Sequence, residues 1–160
     1  MMEESAQLAG RFREVILDGK WIANTNYREQ LAGTDRQLAA RKVLSFNTLE
    51  ALTFHIRYYI SGLLKVFEGG ELEIRDRFSF DFEPCQCQEE WERMLSGFWE
   101  DAEKLAAHVE SMTPEKLDSI FVEERYGTYR RNIEAMIEHV YYHLGQVVLI
   151  KKAAYDLICK

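Results

Sequence analysis

Two histidines, His139 and His143, stand four residues apart in the largely apolar stretch NIEAMIEHVYYHLGQ, residues 132–146. In an α-helix this spacing separates the side chains by about 40° around the axis and by one turn along it. Both imidazoles can then reach a single metal ion, as they do in helical metal-binding motifs. The chain has only 4 histidines, but a pair at this spacing is weak evidence alone, because buried histidines can simply hydrogen-bond.

A third histidine, His55, lies on an apolar helical stripe within NTLEALTFHIRYYISG, residues 47–62. If its helix is a neighbour of the helix carrying the pair, three imidazole nitrogens form a site with positions left for water or substrate. The alternative is a core histidine with its hydrogen bonds satisfied. The fourth histidine, His108, follows the charged sequence DAEK and is expected at the surface.

Other side chains on the same stripes are candidates for a pocket around the histidines. Tyr58, Tyr59 and Tyr142 could donate hydrogen bonds to a developing anion, and Gln146 could orient a ligand or water. For each tyrosine the alternative is packing in the core with the hydroxyl at its rim. The sequence shows no phosphate loop, nucleophile elbow, HExxH motif or pair of CxxC knuckles, so any chemistry has to come from the histidines.

Composition predicts one globular domain over residues 1–160, and helical apolar periodicity assigns it to the all-α class. Hydrophobic residues make up 47% of the chain and charged residues 29%, which is enough apolar material for a core. No apolar run has the length of a membrane span, and the amino terminus is acidic where a signal peptide would be basic. The net charge of −7 gives no electrostatic footprint for nucleic acid. We expect a soluble cytoplasmic protein that binds neither nucleic acid nor membrane.

The three cysteines, Cys85, Cys87 and Cys159, are an odd number, and the first two are too close for an ordinary structural disulfide loop. A reduced compartment is the simpler interpretation. Cys85 and Cys87 could bind metal or cycle between redox states, but loop thiols are the favoured alternative.

Apolar periodicity predicts four long helices. The second helix begins at Thr48, with Asn47 as its cap and Glu50 completing a capping box, and runs to Phe67 before Gly69 and Gly70. The third begins near Gln88, and the fourth begins between Arg130 and Asn132 and ends near Leu157. The apolar residues at helical spacing are Leu8, Phe12, Val15, Ile16 and Ile22 in the first helix, and Trp91, Leu95, Phe98, Ala102, Leu105 and Val109 in the third.

Two irregular connections join the later helices. Residues 71–87 form a long crossover between the second and third helices, which Phe78, Phe80 and Phe82 are expected to strap to the bundle. Thr113 and Pro114 begin a short helical turn, followed by an extended segment over residues 118–130 in which Gly127 turns the chain. These two connections are expected to supply the walls of the pocket.

The fourth predicted helix is apolar on two faces. One face carries the histidine stripe, and the other carries Ile133, Ile137, Val140, Leu144 and Val148. Such a helix is either central in the fold or part of a subunit interface. A homodimer is therefore a plausible assembly.

With these residues in view, the chain resembles the DinB/YfiT-like superfamily of metal-dependent enzymes. The family signature is one histidine in the second helix in an N-T-hydrophobic context, and an H-x-x-x-H-x-G-Q pair in the last helix. Here these are His55 with Asn47-Thr48, and His139 with the run His143 to Gln146. The similarity covers essentially the whole chain, and all three histidines are kept.

The resemblance implies a four-helix bundle, commonly dimeric, whose three histidines bind a divalent transition metal such as nickel or zinc. It also implies a thiol-dependent transferase-like activity with a low-molecular-weight thiol such as bacillithiol, mycothiol or glutathione, or a hydrolase activity, on a small-molecule substrate. Some members are described only as stress-related.

Three functional hypotheses remain open. The leading one is a metal-dependent enzyme in which the ion activates water or a thiol. The first rival is a non-catalytic dimeric stress or interaction protein with a structural metal site or none. The second rival is a redox protein that works through Cys85 and Cys87.

Overall fold

The structure is a computed structural model that describes residues 4–158. Helical residues account for 69% of residues 4–158, and no strand occurs among them, which confirms the predicted all-α class. The seven α-helices of this part are α1 (Glu4–Arg13), α2 (Tyr27–Leu31), α3 (Arg36–Ala39), α4 (Leu49–Phe67), α5 (Gln88–Glu110), α6 (Pro114–Asp118) and α7 (Tyr129–Ile158). None of them is both long enough and apolar enough to cross a membrane.

The four longer helices contact one another in cyclic order: α1 packs on α5, α5 on α4, α4 on α7, and α7 on α1. Their apolar faces meet in one hydrophobic cluster that includes Phe12, Ile56, Trp91, Phe98 and Val140. All six residues predicted for the inner stripe of α5 are buried in it. This order makes α4 and α7 direct neighbours, which is the condition that a shared histidine site requires.

The first helix is shorter than predicted. A π-helical turn, Glu14–Asp18, continues α1 and ends at Gly19, whose backbone is extended and whose N–H bonds to the Glu14 carbonyl. Ile22 therefore lies beyond the helix with 61% of its surface exposed, and its placement on the apolar face of the first helix was wrong. The short helices α2 and α3 follow in the looser region, where the side chains of Asn26 and Asp35 cap them.

The predicted cap of α4 is also corrected. Thr48, with an extended backbone, is the N-cap residue, and its Oγ1 accepts a hydrogen bond from the Ala51 N–H at 3.2 Å. Asn47 lies one residue before this position. Glu50 does not complete a capping box; it is buried, and its Oε2 has no hydrogen-bond partner in the described part of the chain. The helix ends at Phe67, as predicted.

Residues 71–87 cross from α4 to α5 and include one 3-10 turn, Asp76–Phe78. Two of the three predicted phenyl contacts hold this crossover to α4: Phe80 stacks on His55 with ring centroids 4.2 Å apart, and Phe82 stacks on Phe54 at 5.0 Å. Phe78 and Phe80 are both exposed, at 40% and 42%, and the Phe78 ring lies beneath the Arg77 guanidinium.

The start of α6 follows the prediction: Thr113 caps it, and Pro114 is its first residue. The predicted extended segment over residues 118–130 is wrong in part, because Glu124–Tyr126 is a 3-10 turn and α7 already begins at Tyr129. Ile120 and Thr128 form an isolated β-bridge, and Gly127 turns the chain at a φ of 74° that favours glycine. The second apolar face of α7 is largely buried inside the chain against neighbouring helices, which makes α7 a central helix.

Candidate metal centre

The three predicted histidines come together between α4 and α7. His55 lies near the middle of α4, and its ring centroid is 5.2 Å from that of His139 and 4.7 Å from that of His143. The two rings on α7 are 4.6 Å apart. One ligand nitrogen from each residue lies within 4.8 Å of the others, which is close enough for all three to hold one metal ion.

Hydrogen bonds fix which nitrogen of two rings remains for a ligand. The Nδ1–H of His55 donates to the carbonyl oxygen of Ser79 at 3.2 Å, and the Nδ1–H of His143 donates to Oε1 of Gln146 at 2.8 Å. Because a neutral imidazole carries one N–H, each ring keeps a lone pair on Nε2. Histidines that bind metals are commonly oriented by such a second hydrogen bond.

The third ring has an unsatisfied polar atom. Nε2 of His139 is buried without a hydrogen-bond partner among the described residues. A buried polar atom without a partner is costly in free energy. A bound cation would satisfy this nitrogen as well as the Nε2 lone pairs of His55 and His143.

The surroundings of the three rings keep them neutral. Burial lowers the pKa of all three histidines, and in His139 this effect, with the nearby His143 and His55, lowers the pKa from 6.5 to about 4. The charge of Asp76 acts in the opposite direction on His55 and His139. At neutral pH the cluster therefore presents lone pairs, the form that binds metal ions.

The other predicted site residues have different positions. Gln146 bonds to His143, and the Tyr59 ring lies 5.1 Å from the rings of both His55 and His139. Tyr58 does not line the cavity next to His139; its hydroxyl accepts from the Arg75 N–H and donates to the Arg75 carbonyl oxygen.

Tyr142, also predicted for this site, is 66% exposed. Its ring centroid is 4.8 Å from that of His143, but it does not line the cavity next to His139. The sequence stripe had placed Tyr142 on the inward face of the helix, and that placement was wrong. The remaining histidine, His108, is half-exposed beside Glu68, as expected for a surface residue.

The crossover supplies site residues that the sequence analysis missed. Asp76 accepts a hydrogen bond from the Tyr59 hydroxyl at Oδ1, with a distance of 2.9 Å, and lines a cavity together with His139. Ser79 supplies the carbonyl oxygen that orients His55, and Phe80 covers its ring. Phe80 was predicted as a contact between the crossover and the bundle, but Asp76 and Ser79 lie in an irregular segment, where no periodic signal could have identified them.

Two cavities flank the crossover. One, of about 470 Å³, lies between α4, α7 and the two irregular connections, and His139 is part of its wall. The crossover and the 113–130 connection contribute to this wall, as predicted from the sequence. The other, of about 1000 Å³, lies between α4, α5 and the crossover, and none of the three histidines lines it.

The cysteines lie apart from the histidine cluster. Cys85 is buried, Cys87 is exposed, and both are free thiols, whereas Cys159 lies outside the described residues. Burial, together with the carboxylates of Glu50 and Glu90, raises the pKa of the Cys85 thiol. A thiol held in its protonated form is a poor nucleophile and a poor metal ligand.

Comparison of the chain with family models, with curated proteins and with solved structures gave no match. The resemblance to the DinB/YfiT-like superfamily therefore stays a prediction. The geometry of the histidine cluster and its cavity is what indicates a function.

Proposed function

We propose that the protein is a metal-dependent enzyme in which His55, His139 and His143 hold one divalent transition metal ion, nickel or zinc in the first instance. The observation that carries this proposal is the convergence of three neutral imidazoles within 4.8 Å, one of which has a buried nitrogen without a partner. Three lone pairs from imidazoles are a common ligand set of catalytic metal sites.

The surroundings of the cluster favour a catalytic site over a structural one. A structural zinc site is closed by four protein ligands, whereas a catalytic site keeps a position for water or substrate. Within residues 4–158, no cysteine or carboxylate joins the three histidines as a fourth ligand. The 470 Å³ cavity reaches His139, which gives a small molecule access to the ion.

A bound ion would supply Lewis acidity, which lowers the pKa of a water or thiol nucleophile and polarises an electrophile. The protein supplies orientation and proton transfer. Ser79 and Gln146 orient two of the rings, and Phe80 stacks on the ring of His55. The Tyr59 hydroxyl donates a hydrogen bond to Oδ1 of Asp76, and the Asp76 carboxylate would accept a proton from the nucleophile.

Several finer features of this proposal rest on the sequence. The resemblance implies a four-helix bundle of the DinB/YfiT-like type, assembly as a homodimer, and a choice between thiol-dependent transfer and hydrolysis, whereas the composition of the chain suggests a cytoplasmic location. The cyclic packing of the four longer helices is consistent with the first of these.

The non-catalytic bundle remains the main rival, and an exchangeable coordination position distinguishes it from an enzyme. We would load the protein with Co²⁺ and titrate it with azide while recording the visible absorption spectrum. An open site predicts a change in band position and intensity that saturates with azide. An unchanged spectrum at full Co²⁺ occupancy would indicate a closed, structural site. His108→Ala is the matched control, because His108 lies outside the cluster.

A further inference from the structure

The wall of the 470 Å³ cavity beside His139 is largely apolar, with Arg75 and Asn132 as separate polar residues. Tyr59, Asp76 and His139 form the polar region nearest the metal site, since the Tyr59 ring contacts His139 and its hydroxyl bonds to Asp76. Leu63, Met136 and Phe121 are buried side chains from three different segments, and they supply apolar wall. Cavities of this size with few polar groups are typical of small-molecule sites, in which the polar groups set the orientation.

The remaining apolar wall comes from the crossover and is held in place. Ile74 packs directly on the α4 backbone at Gly62, because a side-chain carbon at Gly62 would collide with it. The next residue, Arg75, has both its backbone N–H and its carbonyl bound to the Tyr58 hydroxyl. The wall is therefore formed before a ligand arrives, and binding does not require the crossover to be ordered first.

We propose that this cavity binds the apolar body of the substrate, an aryl or alkyl group, and so directs the substrate's polar reacting group to His139 and Asp76. This inference rests on the proposed metal site, and it specifies the substrate class: small molecules with a substantial apolar part. Ala135 lies one turn before His139 on α7 and also lines the cavity, so its size limits the space for that body.

Hydroxamates provide the first test, because they bind metal ions and can carry different tails. Zinc-loaded protein would be titrated by calorimetry with acetohydroxamate and with 4-phenylbutanohydroxamate. Burial of the phenylalkyl tail predicts binding at least about tenfold tighter than that of acetohydroxamate. Equal affinities for the two compounds would overturn the inference.

Variants locate the effect in the cavity. Ala135→Phe fills it and is expected to remove the preference for the phenylalkyl compound while zinc content and acetohydroxamate affinity stay the same. Leu72→Asn, on the half-exposed crossover, makes the wall polar without adding bulk and is expected to reduce the preference. Ala107→Phe, at an exposed position of α5 outside the cavity, is the matched control and should retain the preference for the phenylalkyl compound. A preference that survives both cavity variants would contradict the proposal.

A second measurement does not depend on the metal. Met136 lines the cavity, and its methyl resonance can be assigned among the 5 methionines by mutation. Titration of metal-free protein with 4-phenylbutanol should shift this resonance in a saturable way, and Ala135→Phe should abolish the shift. If the shift occurs but no metal binds, the proposed function fails and the apolar site stands. If metal binds but the resonance does not respond, the inference fails and the metal site stands.

Discussion

Lowering the pH should destabilise the metal-free protein through His139. Its pKa is about 4 in the fold, against an ordinary value of 6.5, mainly because the ring is partly buried. Below pH 6.5 the unfolded chain binds a proton that the folded chain does not. The contribution of the neutral ring to the free energy of unfolding is therefore fully present above pH 6.5. It is lost progressively as the pH falls to about 4.

The size of this destabilisation follows from the shift in the pKa of His139. At about 1.36 kcal/mol per pKa unit, a pKa lowered from 6.5 to about 4 corresponds to at most about 3.4 kcal/mol. Because His139 is only partly buried, solvent screening reduces the expected loss of stability to about 1–2 kcal/mol over the range from pH 6.5 to about pH 4. Between pH 7 and pH 5, the free energy of unfolding should fall by about 1 kcal/mol because of this residue.

Urea unfolding with a chelator present, at pH 7, 6 and 5, measures the effect. His139→Asn removes the titrating group, so the wild type should lose about 1 kcal/mol more than this variant between pH 7 and pH 5. His108→Asn is the control, and it should follow the wild type because His108 lies at the surface. Parallel curves for the wild type and His139→Asn would refute the assignment of a neutral, partly buried ring.

Three further predictions concern the site. Gln146→Leu removes the hydrogen-bond acceptor that orients His143, so zinc binding should weaken about 10- to 100-fold in a competition titration. An unchanged dissociation constant for zinc would show that Gln146 does not support the metal site. Asp76→Asn should lower turnover about 10²- to 10⁴-fold with the metal content unchanged, because the proton acceptor is lost; full activity would assign proton transfer to another group. The double variant Cys85→Ser, Cys87→Ser should retain metal and activity, whereas loss of activity with metal retained would favour the thiol-based rival.

The local parts of the site were predictable from sequence, because helical spacing fixes the relative position of His139 and His143. His55 could be assigned to the same site only on the condition that α4 and α7 are neighbours, which the structure shows. Tyr142 was misplaced because it lies about 100° from His143 around the helix, at the edge of the stripe, where side chains point into solvent.

Other features could not be derived from periodicity. Asp76 and Ser79 reach the histidines from an irregular crossover, whose path depends on contacts made after the helices pack. The end of α1 depends on a π-helical turn and on Gly19, so the apolar pattern alone extended the helix too far, to Ile22. The cap of α4 differs by one residue because Thr48, like Asn47, is a favoured cap residue and only the backbone conformation decides between them.

The most direct test of the central claim is the metal content of protein purified without an affinity tag. It would be measured by mass spectrometry beside His55→Ala, His139→Ala and His143→Ala, with His108→Ala as control and circular dichroism to confirm that each variant is folded. We expect close to one divalent ion per chain in the wild type and in His108→Ala, and loss of the ion in each of the other three. A folded wild-type protein that contains no metal and cannot be loaded with nickel or zinc would refute the proposed metal site.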